Sequence, residues 1–454
     1  MSDGPISLAE HRRARNGAGR AVESTAPVSA LRLEAVLDAP APAGTKGLPL
    51  DVANLKVRDI GAAGWNLLAD DVSLPAAVIL DTVLRNNIEA MATFARSHGA
   101  QLAPHGKTTM APQLFARQIE AGAWGLSAAT PAHLAVYLDV GVKRIIYANQ
   151  AVDASALDLI VDRLASDPGL ELICLVDSRA AMAALVEAAR RRRSKRRIDI
   201  LIELGMPGGR TGLRTVGEAV ALAARIASEA PELRVRGVEA FEGVVAFDAD
   251  GAERVDALID RLVAAAVAIT PLVHDGVPLL SVGGSAFFPR IVERLEGHWQ
   301  PFNLILRSGC YLVHDHGLYE AGRLSPHCRG GMPMTPALAP ALEVWGHIQS
   351  RPEPGLAYAT VGKRDISHDA GLPIPIKWAP RGGRDVFDLA PGDIETISIN
   401  DQHTYLRVQR DDPIAVGDRI AFGCSHPCTT FDKWKILHLV DESYDILEGI
   451  ATRF

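Results

Sequence analysis

The chain has little of what marks the specialised classes of protein. Its five cysteines are odd in number and scattered over 454 residues, so the expectation is reduced thiols in the cytoplasm and no disulfide framework. No long apolar run occurs. The longest, Leu262 to Ile269, stops well short of the roughly 18–20 residues a membrane span needs. The charged N-terminus, with Asp3, Glu10 and His11 to Arg15, lacks the apolar stretch of a signal peptide. Nor is there a basic excess. Lys and Arg number 47 against 54 Asp and Glu, a net charge of −7, which argues against a general nucleic-acid binder. What remains is ordinary. The chain is 48% hydrophobic and 22% charged, near soluble norms, and long enough for two or three domains. A soluble α/β enzyme is the class these absences leave.

Residues 1–70 read as an irregular N-terminal extension, with a short amphipathic segment at Leu31–Leu37 and a Pro/Ala/Gly-rich linker over Ala39–Pro49. From Pro75 the texture changes. Ala76–Leu80 and Leu102–Ala103 read as strands, separated by a helix over Val83–His98. That helix carries Leu84, Ile88, Met91 and Phe94 at helical spacing and stops at Gly99. Short β runs then alternate with Ala-rich helices as far as Asn303–Arg307. About eight βα units in roughly 250 residues predict a (β/α)8 barrel over residues 71–328. Beyond Gly330 the helical period disappears. Alternating runs such as Leu342–Ile348, Glu395–Ile399 and Lys435–Val440 predict a β-rich C-terminal domain over 329–454. The basic run Arg190–Arg193 and Lys195–Arg197 reads as a helix C-terminus followed by a solvated loop.

Several motifs fall at predicted strand ends, where barrel active sites are built. Lys107, in Pro104-His105-Gly106-Lys107-Thr108-Thr109, follows the first barrel strand. A lysine there can be a Schiff-base nucleophile if its surroundings lower its pKa; alone, it reads more simply as a solvated side chain. Arg210 stands among Gly208, Gly209 and Gly212, where it can approach a ligand ring or an anion, or belong to an ordinary loop. Gly283-Gly284-Ser285 and Ser308-Gly309-Cys310-Tyr311 end two late strands. Paired loops of this kind cradle phosphate. In Cys424-Ser425-His426-Pro427-Cys428, an extended backbone would put His426 and Cys428 on one face. Imidazole plus thiolate suits Zn²⁺, although a catalytic zinc normally has about three protein ligands. Cys424 and Asp432 are candidates for the remainder, and a buried thiol beside a structural histidine would satisfy the motif equally.

Taken together and in this order, the motifs resemble the fold-type III enzymes that use pyridoxal 5′-phosphate. The resemblance is to the D-serine dehydratase / D-threonine aldolase-like group, relatives of alanine racemase, over roughly residues 70–454. Pro104–Thr108 resembles the group's Schiff-base lysine motif, which implies Lys107 as the catalytic and cofactor-bearing lysine with His105 beside it. His426 and Cys428 resemble the metal pair of the D-serine dehydratases; the related aldolases tend to carry His-x-Asp. Gly284, Ser285, Gly309 and Cys310 resemble phosphate-binding loops. Arg307 resembles the arginine on the pyridine nitrogen in alanine racemases, and Arg210 one near the phenolic oxygen and substrate. Tyr311 would line the pocket. Phe241-Glu242-Gly243 departs from the group's more usual His/Gly-rich loop.

The resemblance implies pyridoxal phosphate and Zn²⁺ or another divalent metal as cofactors, a small D-amino acid as substrate, and a cytoplasmic homodimer with no nucleic-acid or membrane partner. The expected reaction is dehydration and deamination of a D-β-hydroxy amino acid to a 2-oxo acid and ammonia. Two rivals use parts of the same set. An aldolase of the D-threonine type would break Cα–Cβ, and a cofactor carrier would bind without turnover. Racemisation would leave the metal pair without a role.

Overall fold

The computed structural model describes residues 30–454 apart from 53–54, 274–275, 297–301, 333, 335 and 411. The charged N-terminus at Asp3 to Arg15 lies outside the described residues.

A first strand, β1 (Ala76–Leu80), precedes eight parallel strands. These are β2 (Gln101–Leu102), β3 (Leu126–Ala128), β4 (Arg144–Gln150), β5 (Glu171–Val176), β6 (Ile198–Leu204), β7 (Leu233–Ala240), β8 (Leu279–Val282) and β9 (Asn303–Leu306). They run in the order β2-β9-β8-β7-β6-β5-β4-β3. Between β2 and β3 the barrel is closed by the Trp124 N–H on the Leu102 carbonyl at 2.7 Å and the Ser127 N–H on the Pro104 carbonyl at 2.9 Å. Successive side chains alternate across each strand. Ile146, Ile173, Leu175, Leu201 and Ile305 accordingly form their own apolar cluster. Their neighbours Ile145, Leu172, Cys174 and Ile200 belong to the larger core packed against the helices.

The helix starts are written locally. Thr130, Ser178 and Asp248 each accept a backbone N–H at an N-cap, and Thr215 with Glu218 forms a capping box. Each cap contributes about 1 kcal/mol. The helix Pro112–Glu120 escapes a periodicity reading because it is buried on nearly every side. The helix Phe288–Glu296 carries Pro289 in its first turn, a position that tolerates proline.

The C-terminal domain is antiparallel and β-rich. Its strands are β10 (Leu342–Glu353), β11 (Leu356–Ala359), β12 (Ile374–Ala379), β13 (Phe387–Asp388), β14 (Glu395–Ile399), β15 (Thr404–Arg407), β16 (Arg419–Gly423), β17 (Ile436–Val440) and β18 (Ile446–Ala451). The central path is β13-β12-β16-β10-β1-β17-β18. The span expected for the barrel thus gives its first strand to the other sheet. β1 lies antiparallel to β10 and parallel to β17, and its AAVIL sequence is that of a strand covered on both faces.

Among the described residues no helix is long and apolar enough to cross a membrane. The basic run is paired with carboxylates: Arg190 with Glu232, Arg191 with Asp158, and Arg192 with Asp162.

One core histidine makes the fold sensitive to acid. His438 on β17 is fully buried, and its Nε2 lies 2.6 Å from the Gly47 carbonyl. That contact ties the N-terminal segment to the sheet. Burial pushes its pKa down to about 4. The unfolded chain therefore takes up a proton below about pH 6.5 that the fold refuses. Stability present above that pH falls progressively towards pH 4, by at most roughly 3 kcal/mol for this residue. In urea melts, His438→Gln should lose less stability than the wild type between pH 7 and 4.5. Equal losses would contradict this account.

Candidate active site

The chain leaves β2 through Pro104 and His105 into one tight turn, Gly106–Thr108. A side chain at Gly106 would meet the Tyr137 hydroxyl at 2.3 Å and the Phe115 ring at 2.9 Å, so only glycine fits. Tyr137 is itself held by the Ser127 carbonyl at 3.0 Å. This packing fixes the backbone that carries Lys107. The lysine is half-buried and makes no hydrogen bond or ion pair with any described residue.

Four expected residues share one neighbourhood. The pKa of His105 is pushed well down, first by burial and then by Lys107, Arg307, His133 and Arg210. His105 is therefore a neutral ring among cations, and its Nδ1 is buried without a partner. His133 was not singled out by the sequence, where nothing marks it. It sits in the first turn of the helix Pro131–Val140, and burial and Lys107 lower its pKa. The Ala129 N–H points at its Nδ1 at 3.4 Å, which leaves the ring proton on Nε2.

Arg307 extends from β9 across the barrel. Its Nη2 donates to the Ala240 carbonyl at 2.9 Å and pairs with Glu239, while Nε is buried without a partner. Burial outweighs Arg307 at Glu239 and pushes that carboxyl up to about 8. Glu203, also buried, accepts from Thr211 and Gln150. Arg210 is exposed and lies over the Phe241 ring at 5.0 Å.

The phosphate-loop expectation is changed in detail. The Gly284 N–H is taken by Glu242 Oε1 at 2.5 Å, and the Cys310 N–H by Ser285 Oγ at 3.1 Å. Both donors are engaged within the protein. Glu242 is fully buried, and burial raises its pKa towards the neutral acid. Gly309 is required by close approach, since a side chain there would lie 2.4 Å from the His105 carbonyl. Tyr311, expected to line the pocket, packs against the apolar core, and Gln118 Nε2 on the helix Pro112–Glu120 donates to its hydroxyl at 3.0 Å.

These residues fit pyridoxal phosphate. Buried polar atoms without partners gather on four barrel segments: His105 Nδ1, Arg307 Nε, Ser281 Oγ, and the second oxygens of Glu239 and Glu242. Buried polar atoms are ordinarily satisfied, so a group of them marks a place for a polar ligand, with an unpaired lysine beside it.

The second expected cluster also departs from the extended arrangement. Pro427 is already helical, with φ −69° and ψ −36°, and Cys428 opens the short helix Cys428–Phe431. The two-residue spacing therefore does not place His426 and Cys428 on one strand face. His426 Nδ1 lies 2.7 Å from Asp369 Oδ2, and its ring meets the Tyr319 ring edge-on. Cys428 Sγ lies 3.4 Å from Cys310 Sγ and 3.5 Å from Thr108 Oγ1. Cys424 is core, whereas Asp432 pairs with Lys433 and lies within electrostatic reach of Asp369 and His426. Among the described residues no group of three or more His, Cys, Asp or Glu side chains is placed to hold a metal ion. The donor chemistry nevertheless fits a thiophilic divalent ion. A carboxylate holds one ring nitrogen of His426 and leaves Nε2 free, as at metal-binding histidines, and Cys428 supplies sulfur.

Comparison with known proteins places the chain. The family described as "Alanine racemase, N-terminal domain" matches residues 81–312, and "Putative serine dehydratase domain" matches residues 341–440. The chain belongs to this alanine racemase-like family of fold-type III pyridoxal-phosphate enzymes. The 3-hydroxy-D-aspartate aldolase of Paracoccus denitrificans is 25% identical over 80% of this chain and 88% of its own. The D-threo-3-hydroxyaspartate dehydratase of a Delftia species is 29% identical over 53% of this chain and 61% of its own. The crystal structure of D-threonine aldolase from Filomicrobium marinum has the same fold, with a TM-score of 0.70 and 22% identity over 86% of this chain and 97% of that one.

Proposed function

We propose that the protein is a pyridoxal-phosphate- and metal-dependent lyase of D-β-hydroxy amino acids that releases a 2-oxo acid and ammonia. The observation that carries this reading is an unpaired Lys107 among His105, Arg307 and Arg210 at the barrel mouth, with the His426 and Cys428 segment brought to the same turn through Thr108.

Lys107 would carry the cofactor, and Arg307 would face its ring nitrogen. Ser285 with the Gly309 turn would hold its phosphate. When bound, pyridoxal phosphate supplies an electron sink at Cα. Lys107 Nζ would be the base that takes the Cα proton. His105, held neutral, adds no second positive charge against that proton. A divalent metal on His426 and Cys428, when bound, supplies Lewis acidity to the β-hydroxyl.

Dehydration is favoured over aldol cleavage by the chemistry of the metal pair: Cys428 offers a thiolate where the related aldolases tend to carry a carboxylate, and the softer site favours Zn²⁺ as the Lewis acid for the leaving hydroxyl. A homodimer in the cytoplasm completes the reading; the odd, scattered count of five cysteines supports a reducing compartment. The test is product analysis on D-serine, D-threonine and D-threo-3-hydroxyaspartate with their L-isomers. The D-isomers should give 2-oxo acid and ammonia in equal amounts and the L-isomers should react poorly. No turnover on any of them would leave only cofactor binding and refute the reading.

A further inference from the structure

The metal reading names two ligands, whereas catalytic zinc normally has about three from the protein. The fold brings up another sulfur. Cys310 Sγ stands 3.4 Å from Cys428 Sγ, the first from the barrel and the second from the β domain. Two thiolates on one zinc, each about 2.3 Å from it in tetrahedral geometry, lie about 3.8 Å apart. The pair is thus close to the spacing a shared ion imposes.

Packing does not account for Cys310. Cys174, Cys328 and Cys424 belong to the apolar clusters. Cys310 is almost as buried, 4% exposed, yet its contacts are polar. Its Sγ lies 3.6 Å from Thr108 Oγ1, and its N–H is fixed by Ser285 Oγ. Thr108 Oγ1 touches both sulfurs, and it adjoins Lys107. A pair of sulfurs set against the catalytic turn, with a carboxylate-held imidazole on the same short segment, is a donor set for a soft divalent cation.

We propose that Cys310 is a metal ligand paired with Cys428, so that the ion is held by two thiolates and joins the barrel to the β domain; His426 does not converge with the two sulfurs in this structure and would complete the site when the ion binds. This rests on the metal reading above, and the experiment separates the two. Full-length protein is stripped and loaded with Co²⁺ alone. The near-ultraviolet thiolate-to-cobalt band is then compared, with cobalt affinity, among wild type, Cys310→Ser and Cys310→Asp. The wild type should show the band of two thiolates. Cys310→Ser should show about half of it and bind cobalt more than roughly tenfold weaker. Cys310→Asp, which restores a ligand without sulfur, should regain affinity but not the lost absorbance. Equal bands and equal affinity in wild type and Cys310→Ser would overturn the proposal and leave the metal reading intact. A Cys310–Cys428 disulfide that persists in metal-loaded protein would also overturn it. Failure of the wild type to bind cobalt at all would overturn the metal reading itself.

Discussion

Replacing Lys107 by alanine should abolish turnover and the covalent hold on the cofactor together. Purified wild type supplied with pyridoxal phosphate should be yellow, and borohydride should fix the cofactor on the tryptic peptide that contains Lys107. The variant should take up no borohydride-stable label. The size of the effect follows from the site. Proton transfer by a placed base contributes about 10²–10⁴-fold, and the variant also loses the anchor of the cofactor, so kcat should fall by at least that much. The two histidines nearest it are poor replacements: burial and nearby cations lower the pKa values of His105 and His133 and make them weak bases, and neither can hold the cofactor covalently. The turn itself should survive, because Gly106, Tyr137 and Phe115 set its shape. A Lys107→Ala protein that turns over at wild-type rate would show that the lysine has been given the wrong role.

Cys428→Ala should divide the two cofactors. Metal content should fall and kcat with it, while the visible-edge band of the pyridoxal phosphate stays in place. Lewis acidity at a leaving oxygen supplies several kcal/mol, which corresponds to roughly 10²–10³ in rate. A chelator should reproduce the loss in the wild type, and added metal should reverse it. The band should persist because Lys107 and Arg307 lie on barrel segments, and the side-chain partners of Cys428 are Cys310 and Thr108. Activity retained in protein shown to be metal-free would contradict this prediction.

The barrel was legible because most of its strands are short apolar runs set off by capped helices, and in the β domain Glu395–Ile399 matches the expected bounds. The placement of β1 was not legible. A strand buried on both faces reads alike in either sheet, and only pairing with β10 and β17 decides between them. That Lys107, His105, Arg210 and Arg307 share one neighbourhood was legible because each follows a strand. His133 and Glu239 could not, since one lies in an ordinary helix start and the other within a strand, and their meaning comes from neighbours distant in sequence. The extended reading of His426 to Cys428 failed for a related reason. Local spacing does not reveal that a helix begins at Cys428.

The fate of the Cα–Cβ bond of D-threonine tests the central claim most directly. Incubated with metal- and pyridoxal-phosphate-loaded protein, D-threonine should yield 2-oxobutanoate and ammonia in equal amounts, with its four-carbon skeleton intact. Glycine and acetaldehyde as the main products would contradict the account and establish aldol cleavage in its place.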